Sequence, residues 1–205
     1  MKKRSASSQR WLQRQHNDPY TQMARAQGWR SRAVFKLEEI DKKDQLIRPG
    51  MKILDLGAAP GGWCQYLAKK LKGQGTIIAL DILEMPPLSG VDFIQADFSD
   101  ESVVDQLIAD YSHLDLVICD IAPNLSGVSF VDIAKMERLN GLALEVARAV
   151  LKPGGSFLIK VFQGPDHLNY VDQLRSSFKS VVFRKPKASR AESRELYVLA
   201  KNRKE

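Results

Sequence analysis

The sequence predicts a doubly wound α/β domain with a mostly parallel sheet, and three observations carry that prediction. Apolar runs bounded by Gly, Pro and Asp alternate with helix-length amphipathic stretches, the pattern of repeated βα units. The first four runs each end in or beside an aspartate, namely Asp55, Asp81, Asp97 and Asp120, so parallel strands would bring four carboxylates to one edge of the sheet. The chain has 205 residues, 44% of them hydrophobic, which suffices for one core in one domain without disulfide or metal support.

Each element has its own signal. A first helix is expected over about 31–41. MKILDLG (51–57) reads as a strand, and GGWCQYLAKKL as a helix opened near Pro60, since proline suits the first turn. TIIALD (76–81) and VDFIQAD (91–97) are the second and third strands, 101–110 is a helix, and LDLVICD (114–120) is the fourth strand. A long helix near 131–150 leads through the turn KPGG into the strand SFLIKVF, followed by a helix over about 166–177. KSVVFRK and RELYVLAK close a seven-stranded sheet, with an antiparallel strand near the C-terminus and helices on both faces. In such sheets ligands bind beyond the carboxyl ends of the strands, where the strand order reverses.

Charge is unevenly distributed. Residues 1–36 carry nine Lys/Arg against one acid, Asp18, and residues 179–205 carry nine against three. The 142 residues between them hold thirteen bases and twenty acids, so two basic ends flank an acidic middle and point to a polyanionic partner. Trp11, Tyr20 and Trp29 lie among the N-terminal charges and argue that much of that segment folds. Residues 1–30 are read as a basic N-terminal segment for such a partner and 31–205 as one α/β domain. Cys64 and Cys119 have no metal-ligand spacing, and two thiols do not make a disulfide framework. No apolar run reaches the roughly 20 residues that span a bilayer, so a soluble, cytoplasmic protein is expected.

The loop LGAAPGG places Gly57, Gly61 and Gly62 where backbone can approach a ligand at a helix start. A dinucleotide fingerprint would need glycine where Ala59 stands, and no phosphate-loop Gly-Lys-Ser/Thr follows, which argues against dehydrogenase and nucleotide hydrolase chemistry. Asp81 ends the second strand 24 residues past Gly57, where an acid can accept both hydroxyls of a ribose. The strand SFLIKVF sets Lys160 among Leu158, Ile159, Val161 and Phe162. A buried ammonium is costly unless paired, so Lys160 is either a snorkelling side chain or a functional one.

SSQRWLQRQHNDPY, GWRSRAVFKLEEID, LDLGAAPGGWCQYL, VDFIQADF, DIAPNLSG, KPGGSFLIKVFQG and KPKASRAESRELYVLA, in this order and spacing, resemble the FtsJ/RrmJ-like ribosomal RNA 2′-O-ribose methyltransferases over nearly the whole chain. The resemblance implies a Rossmann-like domain, S-adenosyl-L-methionine as cofactor with S-adenosyl-L-homocysteine as product, and a catalytic Lys-Asp-Lys-Glu tetrad on Lys36, Asp120, Lys160 and Glu195. It further implies cofactor contacts from Gly57, Gly61, Trp63, Asp81, Asp97 and Asp120. Asp81 would hold the ribose hydroxyls and Asp97 the adenine amino group. The implied substrate is a uridine ribose in large-subunit (23S) ribosomal RNA, in the peptidyl-transferase A loop of the 50S subunit, met by a monomer needing no obligate protein partner.

A ribose 2′-hydroxyl is a poor nucleophile at neutral pH and needs a base of near-neutral pKa. Burial and a second ammonium would both lower a lysine's pKa, while neighbouring carboxylates oppose this. Lys160 is therefore expected to be the proton acceptor, with Lys36 and Asp120 orienting the hydroxyl and Glu195 supporting one lysine. Arg32, Arg190 and Arg194 are the expected RNA contacts. A transfer RNA 2′-O-methyltransferase and a catalytically idle RNA-binding assembly factor are the alternatives. An amino-group methyltransferase would want adjacent prolines and a ring where DIAPN stands. A cytosine-C5 enzyme would want a nucleophilic cysteine outside a strand, whereas Cys119 sits inside one.

Overall fold

The computed structural model describes residues 18–123, 129–164, 167–190 and 193–205. The basic stretch before Asp18, the end of the DIAPNLSG motif from 124 to 127, the expected helix start at 166, and positions 191–192 of the C-terminal basic segment lie outside the described residues. The elements are α1 (Pro19–Ala26), α2 (Val34–Asp44), β1 (Lys52–Leu56), α3 (Gly62–Leu71), β2 (Thr76–Asp81), β3 (Asp92–Gln95) and α4 (Glu101–Tyr111). They continue with β4 (Leu114–Cys119), α5 (Ser129–Val150), β5 (Leu151–Phe162), α6 (His167–Ser177), β6 (Phe178–Arg184) and β7 (Glu195–Arg203).

The seven strands form one sheet in the order β3-β2-β1-β4-β5-β7-β6. Strands β1 to β5 pair in parallel, while β7 runs antiparallel to both β5 and β6. The order reverses between β1 and β4, so a crevice is expected beyond Leu56 and Cys119, where the flanking loops diverge to opposite faces.

Each face of the sheet has its own core. Ile53, Leu116, Ile118, Leu158, Tyr197 and Leu199 join Leu37, Ile40 and Leu67 on one side. Leu54, Leu56, Val117, Cys119, Phe157, Ile159 and Val161 join Leu144, Ala147 and Leu174 on the other. Because side chains alternate along a strand, Asp55, Asp120 and Lys160 fall on the face of Ile53, Ile118 and Leu158, the side of α2 and α3.

Three departures from the sequence reading have local causes. Helix α1 was not expected. Asp18 caps it, accepting the Thr21 N–H at 3.1 Å, and Pro19 opens it, but only Ala24 is buried, too little to give a readable period. The KPGG turn instead lies within β5, where the pairing with β4 shifts between Leu114 and Leu116. Strand β3 stops at Gln95, so Asp97 sits in the following loop.

Candidate active site

The antiparallel register of β5 and β7 sets Lys160 directly opposite Tyr197. Glu195, two residues back along β7, lies on the same face. Lys160 is 6% exposed, yet it does not snorkel. Its Nζ donates to the Asp120 carbonyl oxygen at 2.8 Å and lies 3.0 Å from Asp120 Oδ1. Asp120 Oδ1 also accepts the Tyr197 hydroxyl at 2.7 Å. Lys36 Nζ lies between the two Glu195 carboxylate oxygens, at 2.8 and 2.9 Å, and 5.6 Å from the centre of the Tyr197 ring. The four tetrad residues are thus brought together as two ion pairs joined through one buried tyrosine.

Burial pushes the Asp120 carboxyl up, but the Lys160 and Lys36 charges and the bonds from Tyr197 and Lys160 outweigh it and hold the group below the usual carboxylate range. Burial, with Asp120 and Glu195 nearby, keeps the Tyr197 phenol protonated, so it remains a donor. Sequence reading missed Tyr197. Its signal was parity with Glu195, masked because a tyrosine in a strand reads as core.

Lys36 is held in place by the anchoring of α2. Val34, Leu37, Ile40 and Asp41 bury one face of that helix. Asp41, fully enclosed, accepts the Ile47 N–H and Tyr66 hydroxyl at 2.7 Å and pairs with Lys70 at 2.9 Å. Asp44 accepts two bonds from Arg184 at 2.7 Å and one from Lys201 at 3.0 Å, tying the helix end to β6 and β7. Glu195 is braced by the buried Ser189, whose hydroxyl donates to Oε1 at 2.8 Å.

Beside the tetrad, Asp55, Gly57, Ala58, Pro60, Trp63 and Asp120 line a cleft at the reversal of strand order. Gly57 has φ +75°, and a Cβ there would lie 3.1 Å from Ile121 Cβ. Gly61, at φ +97°, caps α3; a Cβ there would come within 2.7 Å of Arg30 Nη1. Arg30, absent from the sequence expectations, donates to the Pro86 and Pro87 carbonyls at 2.8 Å and to Pro60 O at 3.4 Å. It therefore straps the loop after β2 to the loop after β1.

The FtsJ-like methyltransferase family model matches residues 29–203. The chain belongs to the FtsJ-like methyltransferase family. A crystal structure from Plasmodium falciparum, provisionally described as a ribosomal RNA methyltransferase, is 29% identical with a TM-score of 0.76, over 85% of this chain and 98% of that one. The fibrillarin/Nop5p complex structure matches at 18% identity and a TM-score of 0.57, over 76% of this chain and 74% of that one, a likeness of fold.

FtsJ-like methyltransferases in general use S-adenosylmethionine, and the donor set of this cleft fits that group. Asp81 accepts the Ala59 N–H at 2.9 Å on Oδ2 and the Leu83 N–H at 2.8 Å on Oδ1, so each oxygen retains acceptor capacity suited to a vicinal diol. Ile82 and Leu83 follow it, both large and exposed, an apolar ledge at the same strand end. Asp97 is exposed, with Oδ1 taken by the Ser99 N–H and the other oxygen able to accept from an amino group. The Trp63 indole is buried against Tyr197, and its N–H is committed to Ala33 O at 2.8 Å.

The arrangement gives two expected results. Arg30→Ala should raise the Kd for S-adenosylmethionine about tenfold by calorimetry, with Arg30→Lys no rescue, because one ammonium cannot replace a fork across adjacent carbonyls; an unchanged Kd would remove the strap from the account. Asp55, 1% exposed, has its carboxyl raised to about 7, mainly by burial and also by the Asp120 and Asp81 charges. Its folded pKa exceeds its unfolded one, so its protonated form favours the fold, and stability falls as pH rises from about 4 to about 7. Asp55→Asn should gain in Tm on the wild type across that window, the full difference being on the order of 4 kcal/mol. A Tm difference independent of pH would contradict this.

Of the three arginines expected to touch RNA, Arg32 bonds Asp18 and the Ala188 carbonyl, with its guanidinium 5.7 Å from the Tyr20 ring centre. Arg190 Nε lies 3.5 Å from Asp18 Oδ2. Asp18 thus gathers two of the three at one point, while Arg194 is exposed on the approach to β7.

Proposed function

We propose that this FtsJ-like methyltransferase transfers the methyl group of S-adenosylmethionine to the ribose 2′-hydroxyl of a uridine in large-subunit (23S) ribosomal RNA, in the A loop of the 50S subunit. Lys160, Asp120, Lys36 and Glu195 carry the chemistry. The observation supporting this most directly is Lys160 Nζ, buried at the cleft and bonded to two oxygens of Asp120. To act as base the Lys160 ammonium, paired with Asp120, first gives one proton to solvent; the amine that results keeps two N–H bonds for both partners and turns its lone pair to the substrate hydroxyl. It takes the 2′-hydroxyl proton as the oxygen attacks. Asp120 orients that amine, and Lys36, placed by Glu195, stabilises charge developing on the oxygen. When bound, S-adenosylmethionine supplies an electrophilic methyl on a sulfonium centre. Positioning accounts for much of the acceleration, since well-oriented groups can contribute roughly 7–11 kcal/mol.

The RNA reading is supported by the two basic ends and by the Plasmodium relative's description. Arg32, Arg190 and Arg194 are placed on the phosphate track, with the protein acting in the cytoplasm as a monomer. Among the described residues no helix is long and apolar enough to cross a membrane.

The test is tritium transfer from labelled S-adenosylmethionine to large ribosomal subunits, naked ribosomal RNA and transfer RNA. Label in large-subunit RNA is expected. Label in transfer RNA alone would move the substrate, and label in none would leave an RNA-binding assembly factor. RNA affinity should fall at least about tenfold between 50 and 200 mM salt; salt-independent affinity would count against the basic track.

A further inference from the structure

Across the sheet from the tetrad, at the carboxyl end of β5, a cavity of about 190 Å³ lies between α5 and α6. It is far larger than a single water needs and smaller than the sites of drug-sized ligands. Asn140 lines it and is 4% exposed, yet its Oδ1 has no hydrogen-bond partner. A buried orphan acceptor costs free energy, so an incoming donor would be bound with gain. The next residue, Gly141, lies inside helix α5, where glycine weakens a helix relative to alanine. A Cβ there would meet nothing within 4 Å, so no packing demands the glycine, and the missing side chain keeps the cavity open.

The lining selects the ligand. Asn169 and Gln173 join Asn140 as neutral amides, Glu137 adds one carboxylate acceptor and Tyr170 a phenol, while Ile133, Met136 and Phe162 supply apolar surface. Among the described residues no cation lines the cavity, so it is not built for phosphate. Neutral amides beside apolar walls suit a flat heterocycle with N–H donors and carbonyl acceptors on its edge, which is how single-stranded RNA bases are read. Val161 and Phe162 both line the cavity and, as consecutive strand residues, point to opposite faces. The cavity therefore lies at the tip of the strand that carries Lys160.

We propose that this cavity takes an unpaired base of the substrate RNA, a neighbour in sequence of the methylated nucleotide, with Asn140 Oδ1 accepting its imino or amino N–H. This rests on the RNA reading above. The experiment compares the wild type with Asn140→Leu and Gly141→Ala, using large ribosomal subunits that lack this methylation as acceptor. The KM for subunits should rise about tenfold in Asn140→Leu, the loss of about one hydrogen bond, and should also rise in Gly141→Ala, whose added methyl group takes space left for the base. The Kd for S-adenosylmethionine should stay unchanged, and Tm should not fall. Should Asn140→Leu fold poorly, Gly141→Ala carries the same test, since alanine favours the helix. A subunit KM within twofold of wild type, or a loss of kcat alone, overturns the base site and leaves an unfilled or water-filled void. If the wild type transfers no methyl group to any RNA, the proposed function itself fails, which is a different result from wild-type transfer matched by both variants.

Discussion

Replacing Lys160 with alanine should lower kcat for methyl transfer by roughly 10²–10⁴-fold, the range typical of a lost general base, while S-adenosylmethionine binds with wild-type affinity. The separation follows from placement. Lys160 approaches the cleft from β5 through Asp120, whereas Asp81 and Asp97, the acids proposed for the adenosine end, respectively end β2 and follow β3, on the far side of β1. Lys160→Met, which keeps the apolar stem, should behave like alanine in kcat and disturb packing less. Equilibrium binding and single-turnover rates separate the two effects. A mutant with near wild-type turnover at neutral pH would remove Lys160 from the chemistry and restore the view of it as a structural lysine.

Asp120→Asn should lower both activity and stability. The carboxylate is the counter-charge of a lysine whose side chain is 8% exposed, and it holds that lysine and the Tyr197 hydroxyl at once. Removing one partner of a buried pair leaves an uncompensated charge, at a cost of about 3 kcal/mol. Asparagine still accepts a hydrogen bond, so the loss in kcat, about 10²-fold, reports charge and orientation more than contact. The pH dependence has a definite sign. The folded pKa of Asp120 is depressed, so its contribution is complete above the unfolded value near 3.8 and disappears as pH falls through the lower folded value. The Tm gap between wild type and Asp120→Asn should close as pH falls below about 4. Asp55 behaves in the opposite sense, losing its contribution as pH rises, so the two carboxylates can be told apart in one titration. A gap that widens on acidification would contradict the assignment of Asp120 as the ionised partner.

The sheet was legible because its strands are apolar runs of strand length bounded by turn residues, but that Asp55, Asp120 and Lys160 share one face needs the pairing register as well as period-two alternation. Lys160 was visible as a charge in a core strand. Its partners were visible only through the family resemblance, because Lys36 sits 124 positions away on a helix whose placement depends on its buried face and on the Asp41 and Asp44 anchors. Tyr197 and Arg30 escaped notice for opposite reasons. A tyrosine in a strand reads as packing, and an arginine in a basic segment reads as solvated or RNA-bound, although this one is spent on proline carbonyls. The contacts of Arg32 with Asp18 and Ala188 had no sequence signal either, since one of them depends on a loop 156 residues away. The Asn140 cavity had no sequence signal, because Asn-Gly within a helical period looks only like a weak spot in the helix.

The most direct measurement of the central claim is a map of ribose 2′-O-methylation in ribosomal RNA from cells lacking this protein, before and after incubation of their large subunits with the purified chain and S-adenosylmethionine. One uridine in the large-subunit RNA should lose its 2′-O-methyl group in the deletion and regain it with wild-type protein but not with Lys160→Ala. An unchanged ribose map, or restoration by Lys160→Ala, would contradict that claim.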